Sequence, residues 1–329
     1  MGYPLHRPRR LRRNQFIRDM VKESRMDVRD LICPLFVVHG RDIKREIDIL
    51  PGNYHLSVDR LVYEAEEIRD LGIPAVILFG IPKRKDPGAS ESYDPQGIVQ
   101  QAVRAIKESV PELVVITDVC MCEYTDHGHC GIMKDGYLMN DASLELIAEV
   151  ACSHAKAGAD MVAPAAMLDG QIRKMRYALD EQSFSNVAIM AYSAKFASKL
   201  YDPFFKEGTA SVLSYGDKRT HQMDCANANE ALREIALDIE EGADIVMVKP
   251  GMFYLDVVYR AKEKFKMPLA IYNVSGEYAL IKAAAELNRI DEGQIREEVF
   301  TAFKRAGADL IISYHAKDIA RLMKRGGEG

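Results

Sequence analysis

Gly-Ala-Asp occurs at Gly158-Ala159-Asp160, Gly242-Ala243-Asp244 and Gly307-Ala308-Asp309, each time closing a helical apolar pattern and opening a short apolar run. Gly72-Ile73-Pro74 is a looser version. Glycine just past a helix end takes a left-handed conformation, and the chain turns at once into the next strand. Reuse of one αβ joint restricts the chain to folds built from a repeated unit. The apolar runs are Pro34–Val38, Ala75–Gly80, Val114–Val119, Met161–Pro164, Val187–Ala194, Ile245–Val248, Leu269–Val274 and Leu310–Ser313. They are short and rich in Val, Ile and Leu, as parallel strands buried on both faces require. Segments between them, such as Asp59–Leu71 and Asn229–Glu241, have apolar residues at i, i+3, i+4 spacing. Eight such units in roughly 300 residues predict an α/β fold, a closed (β/α)8 TIM barrel. The rival, an open doubly wound sheet, needs a Gly-rich nucleotide loop after an early strand, and Phe79-Gly80-Ile81-Pro82 does not supply one.

The barrel is expected over residues 29–329. Residues 1–28 form a basic arm with Arg7, Arg9, Arg10, Arg12, Arg13, Arg18, Lys22 and Arg25. Such an arm can bind nucleic acid, but packing on a neighbouring subunit or plain solvation is the better reading. The net charge of −5 and pI near 6.0 argue against a general nucleic-acid partner. No apolar run approaches the ~18 residues that would span a bilayer. The N-terminus lacks the apolar stretch of a secretory signal. A cytoplasmic chain with reduced thiols is therefore expected.

Three of the six cysteines, Cys120, Cys122 and Cys130, follow C-x-C-x7-C spacing on a loop that also carries Asp118, Asp126, His127 and His129. Zinc favours thiolate and imidazole ligands, which makes this loop the metal candidate. Unconnected reduced thiols or a disulfide are the alternatives. A closed structural zinc site has four ligands, so three cysteines leave a position for a histidine or for a reacting oxygen.

In a barrel, chemistry sits where the strands end at their C-terminal face. Lys249 ends a wholly apolar strand and Lys195 ends the one before it. An ammonium there loses hydration, its pKa falls, and the neutral amine can form Schiff bases with carbonyls. Adjacent strands are ~4.8 Å apart, so two amines at one rim would depress each other further. Pairing with a carboxylate such as Asp118 or Asp169 is the alternative. Ser275 and Tyr314 follow the last two strands and offer hydroxyls to a carboxylate. Residues 213–223 carry Lys218, Arg219, His221 and Gln222; they are too polar for a core and long enough for a lid. Two amines, a metal and donors for carboxylates suit condensation of carbonyl compounds that bear acid groups.

With the cysteine loop Thr117–Gly131, Tyr192-Ser193-Ala194-Lys195-Phe196-Ala197-Ser198, Met247-Val248-Lys249-Pro250 and Val274-Ser275-Gly276-Glu277-Tyr278 in view, the chain resembles the porphobilinogen synthase (5-aminolevulinate dehydratase) family. The likeness covers nearly the full length, from the arm Arg7-Pro8-Arg9-Arg10-Leu11-Arg12 to Arg305-Ala306-Gly307-Ala308-Asp309. It implies a (β/α)8 barrel whose arm embraces a neighbour, commonly in a homo-octamer. It also implies the joining of two 5-aminolevulinates into porphobilinogen with loss of two waters, on the way to haem. By that resemblance Lys249 forms a Schiff base with the first substrate, whose carboxylate Ser275 and Tyr314 hold, and Lys195 forms one with the second. Cys120, Cys122 and Cys130 match the zinc-dependent branch, in which zinc polarises an oxygen of the second substrate. Glu234 matches an allosteric magnesium ligand.

Two departures concern the second substrate's carboxylate. Phe205 stands where the family has an arginine, and Lys218 replaces another. Phenylalanine cannot bind a carboxylate, and lysine lacks the bidentate fork. Lys206 and Arg219, one position away, are the expected substitutes through a register shift, and Gln222 and Asp118 complete the expected substrate-binding set. The alternative is a paralogue that applies the same Schiff-base chemistry to another keto or amino-keto acid.

Overall fold

The computed structural model describes residues 5–209 and 211–327, so residues 1–4 of the arm and 328–329 at the other end lie outside the described residues. Eight parallel strands form the barrel: β1 (Leu31–Val38), β2 (Ala75–Ile81), β3 (Val114–Val119), β4 (Met161–Pro164), β5 (Ala188–Lys195), β6 (Ile245–Lys249), β7 (Leu269–Asn273) and β8 (Leu310–Ser313). Each pairs with the next, and β8 returns to β1 through Leu31↔Ile311 and Ile32↔Ile312, which closes the ring. The outer helices are α1 (Val58–Asp70), α2 (Ile98–Ser109), α3 (Asn140–Ala157), α4 (Gln171–Glu181), α5 (Ala228–Glu241), α6 (Leu255–Phe265), α7 (Ser275–Glu286), α8 (Glu292–Ala306) and α9 (Ala316–Gly327).

The repeated Gly-Ala-Asp joint has one structural solution. Gly158, Gly242 and Gly307 end α3, α5 and α8 at φ of +106°, +109° and +104°. Each following aspartate then reaches back to the preceding strand. Asp160 accepts from the Val115 N–H, Asp244 from Ile189 and Asp309 from Leu269, all at 2.8 Å. Lys107 and Lys262 add ion pairs to Asp160 and Asp309 at 3.0 and 2.6 Å. The aspartate thus satisfies a backbone donor at the bottom of the barrel that no strand neighbour reaches. Asp309→Ala is expected to destabilise the fold by about 1.5 kcal/mol, measured as a lower urea midpoint at unchanged slope. An unchanged midpoint would show that water serves that donor equally well.

Two features were not visible in the hydropathy pattern. A hairpin, Lys44–Glu46 with Tyr54–Ser57, adds to the C-terminal half of β1 through Phe36↔His55. His55 Nε2 meets the Gly208 carbonyl at 2.7 Å, so the hairpin braces the segment that covers the mouth. The arm contains a short helix, Gln15–Met20, that leaves Phe16 81% and Met20 80% exposed.

Candidate active site

The mouth is floored by aromatic rings. Phe36, Phe79, Tyr192, Tyr272 and Tyr314 fill the upper barrel, with neighbouring ring centroids 5.7–6.4 Å apart. Above them, Lys249 and Lys195 are direct register partners on β6 and β5. Both are buried. Lys249 Nζ sits inside four rings, 4.5 Å from the centroid of Tyr272, 4.9 Å from Tyr192, 5.1 Å from Tyr201 and 5.5 Å from Phe204. Burial and then the Lys195 charge bring its pKa down to about 7, against the pull of Asp118. Lys195 Nζ donates to the Ala165 carbonyl at 2.5 Å.

Among the described residues neither lysine forms an ion pair with Asp118 or Asp169. Asp118 stands at the end of β3, beside the lysines, and burial with Glu123 raises it to about 8. Asp169 lies elsewhere, in an outer cavity.

Cys120, Cys122 and Cys130 are buried, and their sulfurs all lie within 4.8 Å of one another. Cys120 Sγ and Cys122 Sγ are 3.4 Å apart. All six cysteines are free thiols, which removes the disulfide alternative. The cluster can hold a metal ion. His127 and His129 do not join it: His129 Nε2 meets the Tyr215 carbonyl at 3.0 Å, and His127 Nδ1 accepts the His129 N–H. A small cavity connects Cys120, Cys122, Asp118, Lys195, Lys249 and Phe205.

Ser275 begins α7; its hydroxyl donates to the Leu200 carbonyl and accepts the Phe204 N–H, both at 3.2 Å. Tyr314 shares a 3.0 Å hydrogen bond with Tyr272. Ser275 thus lies against Phe204, and Tyr314 against Tyr272, two of the rings around Lys249.

The expected register shift does not occur. Lys218 points inward, buried, with Nζ 4.0 Å over the Phe205 ring and no hydrogen-bond partner. Burial alone would lower its pKa, but the three cysteines and Glu123 raise it well above the usual lysine range. Lys206 and Arg219 are exposed, so the structure does not bring these two expected substitutes to the mouth. The cause is local: Phe205 packs edge-on against Tyr201 and Phe204, which turns its neighbour Lys206 outward. Gln222 is buried with Nε2 unpartnered, and it lines the outer cavity with Glu234, Glu230, Asp238 and Asp169.

The sequence reading missed Glu123 and the collar of Tyr192, Tyr201, Phe204 and Tyr272. Glu123 is 3% exposed, and its Oε2 lies 3.2 Å from Cys122 Sγ. Its place directly after Cys122 of the cysteine cluster was the available signal. The collar had none, because aromatic residues in apolar strands read as ordinary core.

Comparison with known proteins identifies the family. The family model for delta-aminolevulinic acid dehydratase matches residues 5–322. The delta-aminolevulinic acid dehydratase of Synechocystis sp. is 52% identical over 326 residues, covering 98% of this chain and 99% of that one. The Bacillus subtilis enzyme of the same name is 50% identical over 321 residues, covering 98% and 99%. A solved structure of delta-aminolevulinic acid dehydratase (porphobilinogen synthase) from Toxoplasma gondii, in complex with the reaction product porphobilinogen, superposes with a TM-score of 0.96 at 40% identity, covering 99% of this chain and 94% of that one. No helix among the described residues is long and apolar enough to cross a membrane. The chain belongs to the delta-aminolevulinic acid dehydratase (porphobilinogen synthase) family.

Proposed function

We propose that this mouth joins two 5-aminolevulinate molecules into porphobilinogen with loss of two waters, and that Lys249 and Lys195 each form a Schiff base with one keto group. The observation that carries the reading is the register pairing of two buried lysines beside three converging sulfurs. An aldolase with one lysine would use neither the second amine nor the thiols. Lys249 Nζ attacks the keto carbon as the free amine, and the keto oxygen leaves as water when the C=N bond forms. With its pKa near 7, Lys249 is neutral in a large fraction of molecules at physiological pH.

Ser275 and Tyr314 take the first substrate's carboxylate. Lys218 takes the second's through a buried ammonium that has no partner, while Gln222 belongs to the outer cavity. Asp118, which lines the same small cavity as Cys120, Cys122 and the lysines, faces a substrate amino group in this reading.

Cys120, Cys122 and Cys130 hold zinc in this reading. Two thiolates on a tetrahedral ion with ~2.3 Å bonds are ~3.8 Å apart, which suits three sulfurs that all lie within 4.8 Å of one another, one pair at 3.4 Å. When bound, zinc supplies a Lewis acid to an oxygen of the second substrate. Free thiols throughout suit a reducing compartment such as the cytoplasm. Thorough chelation should abolish porphobilinogen formation from 5-aminolevulinate, and added zinc should restore it. Turnover that survives complete zinc removal would refute the catalytic metal.

The exposed apolar side chains of the arm, Leu11, Phe16 and Met20, support its packing on a second copy within a homo-octamer. The acidic outer cavity around Glu234, where burial and Asp169 raise that carboxyl, supports magnesium as an activating ion. Removing residues 1–25 should reduce the light-scattering mass, and Glu234→Gln should abolish any rate response to magnesium. An unchanged mass, or an unchanged response, would sink the corresponding assignment.

A further inference from the structure

The ends of β6, β7 and β8 are tied by a buried hydrogen-bond chain made of side chains that have no part in the chemistry described above. Glu277, in the first turn of α7, has no exposed surface. Its Oε1 accepts from the Met252 N–H at 2.6 Å, and its Oε2 accepts from the Val274 N–H and Asn273 Nδ2 at 3.0 Å each. Asn273, the last residue of β7, accepts at Oδ1 from Ser313 Oγ at 2.9 Å. Ser313, the last residue of β8, accepts in turn from the His315 N–H at 3.1 Å. Asn273 and Ser313 are also fully buried.

The anchor points of this chain are the immediate neighbours of three proposed substrate-binding groups. Met252 closes the short loop that follows Lys249. Val274 directly precedes Ser275. Ser313 and His315 flank Tyr314. Parallel strands leave their C-terminal ends without mutual support once the ladder stops, so the loops that follow are free to move independently unless something spans them. A buried carboxylate is an expensive way to fill a core. One that satisfies three N–H donors fixes relative positions more tightly than apolar packing, because few other arrangements satisfy every partner. The next pair of strand ends is joined differently, without a buried carboxylate: Phe196 N–H and the Tyr201 hydroxyl both donate to the Lys249 carbonyl, and Met223 N–H to the Lys195 carbonyl.

We propose that Glu277, Asn273 and Ser313 are positioning residues that hold Lys249, Ser275 and Tyr314 at one fixed spacing, and so orient the first 5-aminolevulinate for attack by Lys249. The proposal rests on the Schiff-base reading of Lys249. Its consequence is local: Lys249 chemistry depends on the chain, and Lys195, on β5 outside it, does not.

The test is site-resolved trapping. Full-length protein is mixed with 5-aminolevulinate and borohydride, and the reduced adducts at Lys249 and Lys195 are timed by peptide mass mapping. Glu277→Gln places an amide N–H against backbone or amide donors. Ser313→Ala strands Asn273 Oδ1 and the His315 N–H while changing little volume. In both variants the adduct at Lys249 should form about ten to a hundred times more slowly, the scale of effect expected from a misplaced reacting group, while the Lys195 adduct keeps its rate. A general loss of structure would slow both together, and that outcome overturns the proposal. So does an unchanged Lys249 rate in either folded variant. If Glu277→Gln does not fold, Ser313→Ala decides alone. Absence of a Lys249 adduct in the parent protein would instead sink the Schiff-base reading, and the positioning role with it.

Discussion

Lys249→Met is expected to reduce porphobilinogen formation by at least about 10⁴-fold, the scale on which loss of a covalent nucleophile registers, while making the protein more stable. The two effects have one cause. Burial among Tyr272, Tyr192, Tyr201 and Phe204, followed by the charge of Lys195, lowers the Lys249 pKa to about 7. In the unfolded chain a lysine holds its proton up to about pH 10.4. Between these values the unfolded state binds the extra proton, so this group makes stability rise with pH from about 7 to about 10.4. Below 7 both states are protonated and the full cost of the buried ammonium is present. Methionine fills similar volume and carries no charge, so it removes that cost, and the melting temperature at pH 7 should rise. The parent's kcat/KM should fall as pH drops below about 7, tending to tenfold per unit as the free amine disappears. A variant that loses activity and melts earlier would mean that Lys249 is structural. A pH profile flat from 8 to 5 would show that its free amine is not the attacking group.

The barrel was legible because its evidence is periodic. All eight predicted strands exist, and three have the expected bounds. β1 begins at Leu31 rather than Pro34, since Leu31 and Ile32 pair with β8 and close the ring, a contact no local pattern encodes. β7 ends at Asn273 because Val274 is taken up as the cap of α7. The lysines were legible for a related reason: a charge at the end of an apolar strand has one place to go in a barrel. The lid was not. Phe204–Gly208 forms a single wide π-helical turn, whose register does not follow the usual helical repeat. Which of Phe205 and Lys206 turns inward is settled by rings from distant segments, and the sequence reading had no access to that choice. The same holds for Lys218 and Arg219: the inward residue is the one that can rest on Phe205 and face the thiols.

That inward choice leads to the second large effect. Lys218 is buried against Phe205, which lines the small cavity, and its ammonium has no hydrogen-bond partner. Lys218→Met should therefore raise KM for 5-aminolevulinate by about 10²-fold, the loss expected when a charge-assisted bond to a carboxylate disappears from a desolvated site. Phe205→Arg tests the converse. The parent rests one ammonium on a ring 4.0 Å away, a contact worth about 1 kcal/mol that yields no hydrogen bond to substrate. An arginine there would add a second, bidentate donor. Without substrate, two close cations would repel and the protein should lose stability. With substrate, the carboxylate would bridge them and KM should fall about tenfold. The pair of variants separates two accounts of the same sequence. A strong Lys218→Met effect with a gain from Phe205→Arg means that the second subsite holds a carboxylate on one cation where two would bind it better. If Lys218→Met leaves KM unchanged but weakens zinc in a chelator competition, Lys218 serves the thiolates rather than the substrate, and the second carboxylate is held elsewhere.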